Sequence, residues 1–150
     1  MPQSFGALYT HLVFSTKGRE PWVLPTIADR LHEYIGGTLR AHKCTLLDAG
    51  GMPDHLHLLI SLSREMSASE LARVVKANST RWVHETYANM AYFAWQAGYG
   101  AFSVSFSKIG HVKDYIAKQE AHHKKKSFQD EFREYLRAHE LEWDERYVWD

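Results

Sequence analysis

The sequence predicts an α+β fold of the ferredoxin-like sandwich type, an antiparallel sheet with helices on one face. Three observations carry that prediction. Apolar periodicity alternates between two and 3.6 residues along the chain, in the order β-α-β-β-α-β followed by further helices. The two middle strands are joined by a short stretch of turn-forming residues. At 150 residues and 45% hydrophobic content the chain can bury one sizeable core, whereas two domains would each be uncomfortably small, so residues 1–150 are read as a single domain.

"GALYTHLVFSTK" (6–17) is rich in β-branched and aromatic residues and reads as the first strand, with "GREP" turning the chain. "PTIADRLHEYIGGTLRAH" carries Ile27, Leu31, Tyr34, Ile35 and Leu39 at helical spacing, with Pro25 near its start. The Gly36–Gly37 pair weakens that helix by roughly 1 kcal/mol per glycine relative to alanine. "CTLLDAGG" and "HLHLLISL" form a strand pair through "GGMPD", where Gly, Pro and Asp supply turn chemistry. The second helix, "SASELARVVKANSTRWVHETY", opens on Ser67 and Glu70 in capping-box spacing and buries Leu71, Val74, Val75 and Trp82. "GAFSVSFSK" alternates Phe102, Val104 and Phe106 against Ser103 and Ser105, a strand with one apolar face. Phe93, Trp95, Phe102 and Phe106 are expected in the core, with Gly98 and Gly100 allowing a tight turn. "GHVKDYIAKQEAHHKK" reads as one helix and "SFQDEFREYLRAH" as another, N-capped by Ser127; the closing "ELEWDERYVWD" is expected to pack back over the domain.

Lys+Arg and Asp+Glu both number 18, which argues against a protein that coats nucleic acid through bulk charge and leaves room for a local basic surface. Cys44 is the only cysteine, so no intrachain disulfide can form. The start lacks a secretory pattern and no stretch reaches the apolar length of a bilayer span; a cytoplasmic protein without membrane contact is expected.

In "GGMPDHLHLLISL" (50–62), strand alternation puts Leu56, Leu58 and Ile60 on one side and His55, His57 and Leu59 on the other. Two imidazoles on one strand face supply two legs of a metal site; the competing reading is a polar strand face that merely holds histidines. Downstream, His111, Tyr115, Gln119 and His122 share one helical stripe, with Val112 and Ile116 beside it as anchors. A tyrosine there can also simply pack at the sheet edge with its hydroxyl wet. Arg73, Lys76 and Arg81 on the second helix, and Lys124, Lys125 and Lys126 after the tyrosine helix, are candidate phosphate contacts or else solvated helix faces.

"MPDHLHLLI" followed by "YIAKQEAHH" resembles the HUH motif and nucleophile helix of the small single-tyrosine transposases of bacterial and archaeal insertion sequences. "THLVFSTKGREP", "FAWQAGYGAFSVS" and "SFQDEFREYLRAHELEWDERYVW" are similar to that family too, so the resemblance spans nearly the whole chain. It implies an HUH endonuclease fold, with His55, His57 and Gln119 as metal ligands and Tyr115 as the nucleophile that becomes joined to a DNA 5′ end. It implies a divalent metal, Mg²⁺ or Mn²⁺, and single-stranded DNA at hairpin-bearing element ends as substrate. It also implies a homodimer joined through its sheets, in which the tyrosine helix of one subunit can serve the imidazoles of the other. His111, His122 and His123 receive no role from it. Three other readings stay open: a domesticated relative that nicks and joins repeated hairpins, a metal-dependent phosphoesterase using water, and a non-catalytic DNA-binding module.

Overall fold

A computed structural model describes residues 2–150. The chain runs β1 (Leu8–Ser15), α1 (Pro25–Ala41), β2 (Thr45–Met52), β3 (His55–Leu62), α2 (Ala68–Thr86), β4 (Gly100–Val104), α3 (Ile109–Ala117), α4 (Gln119–His123) and α5 (Phe128–Ala138). The four strands form an antiparallel sheet in the order β2-β3-β1-β4, which places the two strands richest in apolar residues at its centre.

Alternation along β1 and β3 sorts the sheet into two unlike faces. Leu12, Phe14, Leu56, Leu58 and Ile60 point into the main core, where Leu31, Ile35 and Leu39 of α1 and Leu71 and Val75 of α2 cover them. The expected sandwich is thus formed by α1 and α2, the latter capped by Ser67 accepting from the Glu70 amide. The helices do not stop at one face, however. Val13 and Phe102 point the other way, into a smaller cluster with Phe128, Phe132 and Leu136 of α5, so the sheet is flanked on both sides. Ser127 caps α5 as expected, accepting from the Asp130 amide.

Two expectations need correction. The segment after β4 is not one helix: it breaks at Lys118 (φ −101°, ψ 19°), leaving Tyr115 on α3 and Gln119 as the first residue of α4. β4 ends at Val104, and Phe106, in the short turn of 3-10 helix that follows, is 76% exposed rather than buried; Phe93, Trp95 and Phe102 are core. The C-terminal segment folds back as expected. Asp150 accepts from the Gly98 amide at 2.8 Å, and Trp149 packs on Phe128 and Phe132 with the Arg133 guanidinium over its ring.

Two glycines of the β2–β3 hairpin set how closely the second layer approaches. A Cβ on Gly50 would lie 2.6 Å from Ile116 Cγ2 and 3.1 Å from the Ile116 carbonyl oxygen, so the bare backbone lets α3 rest on β2. Gly51 adopts φ +149° with the His55 carbonyl against it, a place no side chain fits.

Candidate metal centre and tyrosine site

His55 and His57 lie on the second face of β3, paired across the sheet with Ser15 and Val13 of β1, and both are fully buried. Enclosed imidazoles need partners for both ring nitrogens. Asp54 Oδ1 sits 2.7 Å from His55 Nδ1, which directs His55 Nε2 inward, where Gln119 Oε1 stands at 2.9 Å. His57 Nδ1 meets His11 Nε2 at 2.8 Å, and its Nε2 meets Glu131 Oε1 at 2.9 Å. A ligand imidazole held from behind by a carboxylate, as Asp54 holds His55, is a usual support of a metal centre.

Glu131 is the hub. Its carboxylate is 1% exposed, and its Oε1 is approached by His123 Nε2 at 3.2 Å and His55 Nε2 at 3.5 Å as well as by His57. Its Oε2 accepts from the Gln119 amide at 3.2 Å and from the Tyr115 hydroxyl in a very short bond. Donor atoms from His55, His57, His123 and Glu131 all lie within 4.8 Å of one another. Three imidazole nitrogens and one carboxylate oxygen suit a divalent transition ion. The donor set fits a metal.

The electrostatics follow from this crowding. Burial raises the Glu131 carboxyl, but bonds to His123 and His57 outweigh it and hold the group well below the usual carboxylate range. Burial keeps His57 below the ordinary imidazole value, with Glu131 opposing. His123, less enclosed, is raised by the same carboxylate despite burial. Burial first, then the bond to anionic Glu131, pushes the Tyr115 phenol above its ordinary value, so in this arrangement it is held protonated. His122 stacks on the Tyr115 ring at 4.5 Å between centroids.

The structure therefore brings His55, His57, Tyr115 and Gln119 together within one protomer. Lys124 and Lys125 are exposed directly beyond α4, and Lys126 pairs with Glu134 at 2.5 Å. The α2 cations are not brought to the site, because α2 covers the opposite face of the sheet. Arg73 faces Glu70 and Arg81 faces Asn78, while the Lys76 ammonium donates to the carbonyls of Gln96, Ala97 and Gly98 at 2.9, 3.0 and 2.5 Å. Lys76 is a structural clasp. Glu131, His123, Asp54 and His11 were not identified from sequence. Glu131 had a legible signal, since it is a carboxylate within the apolar stripe of Phe128, Phe132, Tyr135 and Leu136.

An antiparallel sheet flanked by helices, presenting paired imidazoles from a central strand to a helix-borne tyrosine, is the architecture of the single-tyrosine HUH enzymes. Residues 4–119 match the family described as IS200-like transposases. The ISDra2 transposase TnpA of Deinococcus radiodurans is 23% identical over 114 residues, covering 73% of this chain and 81% of that protein. A crystal structure of a candidate transposase from Deinococcus radiodurans R1 superposes with a TM-score of 0.64 at 22% identity, covering 79% of this chain and 98% of the other. A REP-associated tyrosine transposase bound to a REP hairpin gives 0.61 at 17% identity, covering 82% and 72%. Both solved structures share the fold. The chain belongs to the IS200-like transposase family, and is an HUH-type tyrosine transposase-like enzyme. Among the described residues no helix is long and apolar enough to cross a membrane.

Proposed function

We propose that this protein cleaves and rejoins single-stranded DNA at insertion-sequence ends through a covalent 5′-phosphotyrosine link to Tyr115. One observation carries the reading: the Tyr115 hydroxyl and three imidazoles converge on the same buried carboxylate. Mg²⁺ or Mn²⁺ held by His55, His57 and Gln119, with His123 and Glu131 in reach, would supply positive charge for the non-bridging phosphate oxygens. Imidazole nitrogen favours Mn²⁺, and carboxylate and amide oxygen are acceptable to both.

The chain's own residues account for the rest. Tyr115 Oη attacks phosphorus, the P–O3′ bond breaks, and the departing oxygen takes up a proton as a 3′-hydroxyl. The phenol already donates to Glu131 Oε2, a bond that aims its oxygen; because Glu131 is so weak a base, the proton leaves only as the O–P bond forms. Burial around the site limits competition by water. The phosphotyrosine conserves the diester, so an incoming 3′-hydroxyl can reverse the step, returning the proton to Tyr115. Neither ATP nor hydrolysis is required. Lys124 and Lys125 are the cations we assign to the strand's phosphates, and the cytoplasm is the compartment we assign to the protein.

With one nucleophile per chain, cutting both ends of an element calls for two copies, which supports a homodimer. Hairpin-bearing ends are the substrate we favour, in keeping with the hairpin held by the REP-associated neighbour. The same residues would serve a domesticated relative that nicks hairpins without moving an element.

The test is incubation of the protein with Mn²⁺ and pooled hairpin-bearing single strands, followed by denaturing gels. A shifted protein–DNA band is expected, absent in Tyr115→Phe. Cleavage that persists in Tyr115→Phe without any adduct would instead establish a phosphoesterase using water.

A further inference from the structure

Beside the metal-binding cluster a cleft of about 490 Å³ runs between β4, the first turns of α3 and the exposed end of α5. That volume is within the range of small-ligand pockets, about 300–1,000 Å³. Tyr115 and Glu131 line its inner end, while His55 and His57 do not reach it. Its outer wall comes from Tyr135 and His139, beyond the last residue matched to the family. Both rings are backed by buried Phe102, at 5.2 and 4.7 Å between centroids, so their orientation is fixed before anything binds. Lys108 and His111 line the same cleft from the start of α3, and Glu134 lines it from α5.

We propose that this cleft seats one unpaired nucleobase bearing an exocyclic amino group, next to the linkage that Tyr115 attacks. The inference rests on the strand-cleavage reading above, and it assigns the base-specific contact that reading lacks. A phosphate in line with Tyr115 Oη leaves its neighbouring nucleotide one step away, and the cleft is the space that opens there. Flat, pre-oriented rings offer stacking, which any unpaired base accepts. The carboxylate rim is selective. Glu134 can accept from the amino groups of cytosine, adenine or guanine, which thymine lacks. Lys126, bonded to Glu134 at 2.5 Å, offsets the repulsion this carboxylate would exert on a DNA backbone. Lys108 and His111 are placed to meet the sugar-phosphate outside the base.

The experiment measures binding of fluorescein-labelled (dC)10, (dA)10 and (dT)10 to the full chain in EDTA, by anisotropy. (dC)10 and (dA)10 are expected to bind at least threefold more tightly than (dT)10. Ala138→Trp, which fills the cleft from an exposed position, is expected to weaken all three at least tenfold, and Ala138→Ser to stay within twofold. His139→Ala, which removes one exposed ring without adding bulk, should weaken binding at least threefold and decides the matter if Ala138→Trp does not fold. Glu134→Leu, which removes both acceptor oxygens, should bring the (dC)10 to (dT)10 ratio to near one, and a ratio that stays at threefold or more there overturns the role given to the carboxylate. Binding by folded Ala138→Trp within twofold of the parent, or equal affinity for (dC)10 and (dT)10 in the parent, overturns the proposal. An adduct at Tyr115 with binding indifferent to the cleft removes the base seat and leaves strand cleavage standing. Cleft-dependent binding with no adduct does the reverse.

Discussion

Gly50→Ala tests whether the backbone approach of α3 to β2 sets the position of Tyr115, the proposed nucleophile. The new Cβ would lie 2.6 Å from Ile116 Cγ2 and 3.1 Å from the Ile116 carbonyl oxygen. Carbon atoms in contact prefer about 3.5–4.0 Å, so α3 must withdraw by about 1 Å. Ile116 is β-branched and sits within α3, where its χ1 is held to one rotamer, and the second contact is backbone, so the helix itself has to move. Tyr115 is the preceding residue and moves with it. Overpacking of this kind costs about 1–3 kcal/mol. For a chain of this length that is a melting-temperature drop of roughly 3–10 °C. A misplacement of about 1 Å at a reacting atom costs on the order of 10²-fold in rate. Single-turnover adduct formation with Mn²⁺ should therefore slow about a hundredfold while the variant remains folded. An adduct rate within threefold of the parent, in a folded variant, would show that the Gly50 contact does not position Tyr115.

Three further outcomes are expected. Glu131→Gln keeps the side-chain volume and removes the charge, so Mn²⁺ affinity should fall about 10–100-fold; an unchanged Mn²⁺ titration by electron paramagnetic resonance would remove Glu131 from the donor set. Lys76→Met breaks three bonds to carbonyls at a half-buried position and should cost about 1–3 kcal/mol in denaturant melts. It should leave the salt dependence of single-strand binding unchanged, whereas a slope smaller by about 0.7 would mark Lys76 as a phosphate contact. Burial first, then His57, lowers His11 to about 3. Its imidazole stays neutral in the fold while the unfolded chain protonates below about pH 6.5, so folding stability is lost as pH falls from about 6.5 toward 3. Without divalent metal, the parent should lose about 1–2 kcal/mol more than His11→Asn between pH 7 and pH 5; parallel losses in the two proteins would refute the assignment.

The sequence was most legible where one residue property recurs at one period. The alternation of β3 separated His55 and His57 from Leu56 and Leu58 without any knowledge of the neighbouring strands, because strand geometry leaves no other choice. Helix starts at Ser67 and Ser127 were equally local, since a side-chain oxygen answers an amide three residues on. The break at Lys118 was not legible: Ala117 and Lys118 favour helix, and it is packing of Ile116 on Gly50 and of Gln119 toward the imidazoles that divides the segment. Phe106 misled because alternation continues past the point where β4 loses its partner; Val104 is the last β4 residue paired with β1. The centre of the site was hidden for a different reason. Glu131 lies 74 residues from His57 in the chain, and no spacing rule connects a strand to a helix that crosses it. Its charge amid Phe128 and Phe132 marked it as exceptional, but which groups it answers to is settled only by the tertiary fold. Lys76 shows the converse, a cation of the expected type spent entirely on its own backbone.

Phe128 lies flat over His55, with 4.6 Å between ring centroids, and Trp149 abuts Phe128 from the next layer. Water does not touch either imidazole of β3, and a phosphodiester is far larger than water. The phenol is reachable from the side while the imidazoles are roofed over. Access to the imidazoles from this side is limited by the seating of α5 on Val13 and Phe102, and amide protection along α5, followed by deuterium uptake with and without bound oligonucleotide, would show whether that seating loosens.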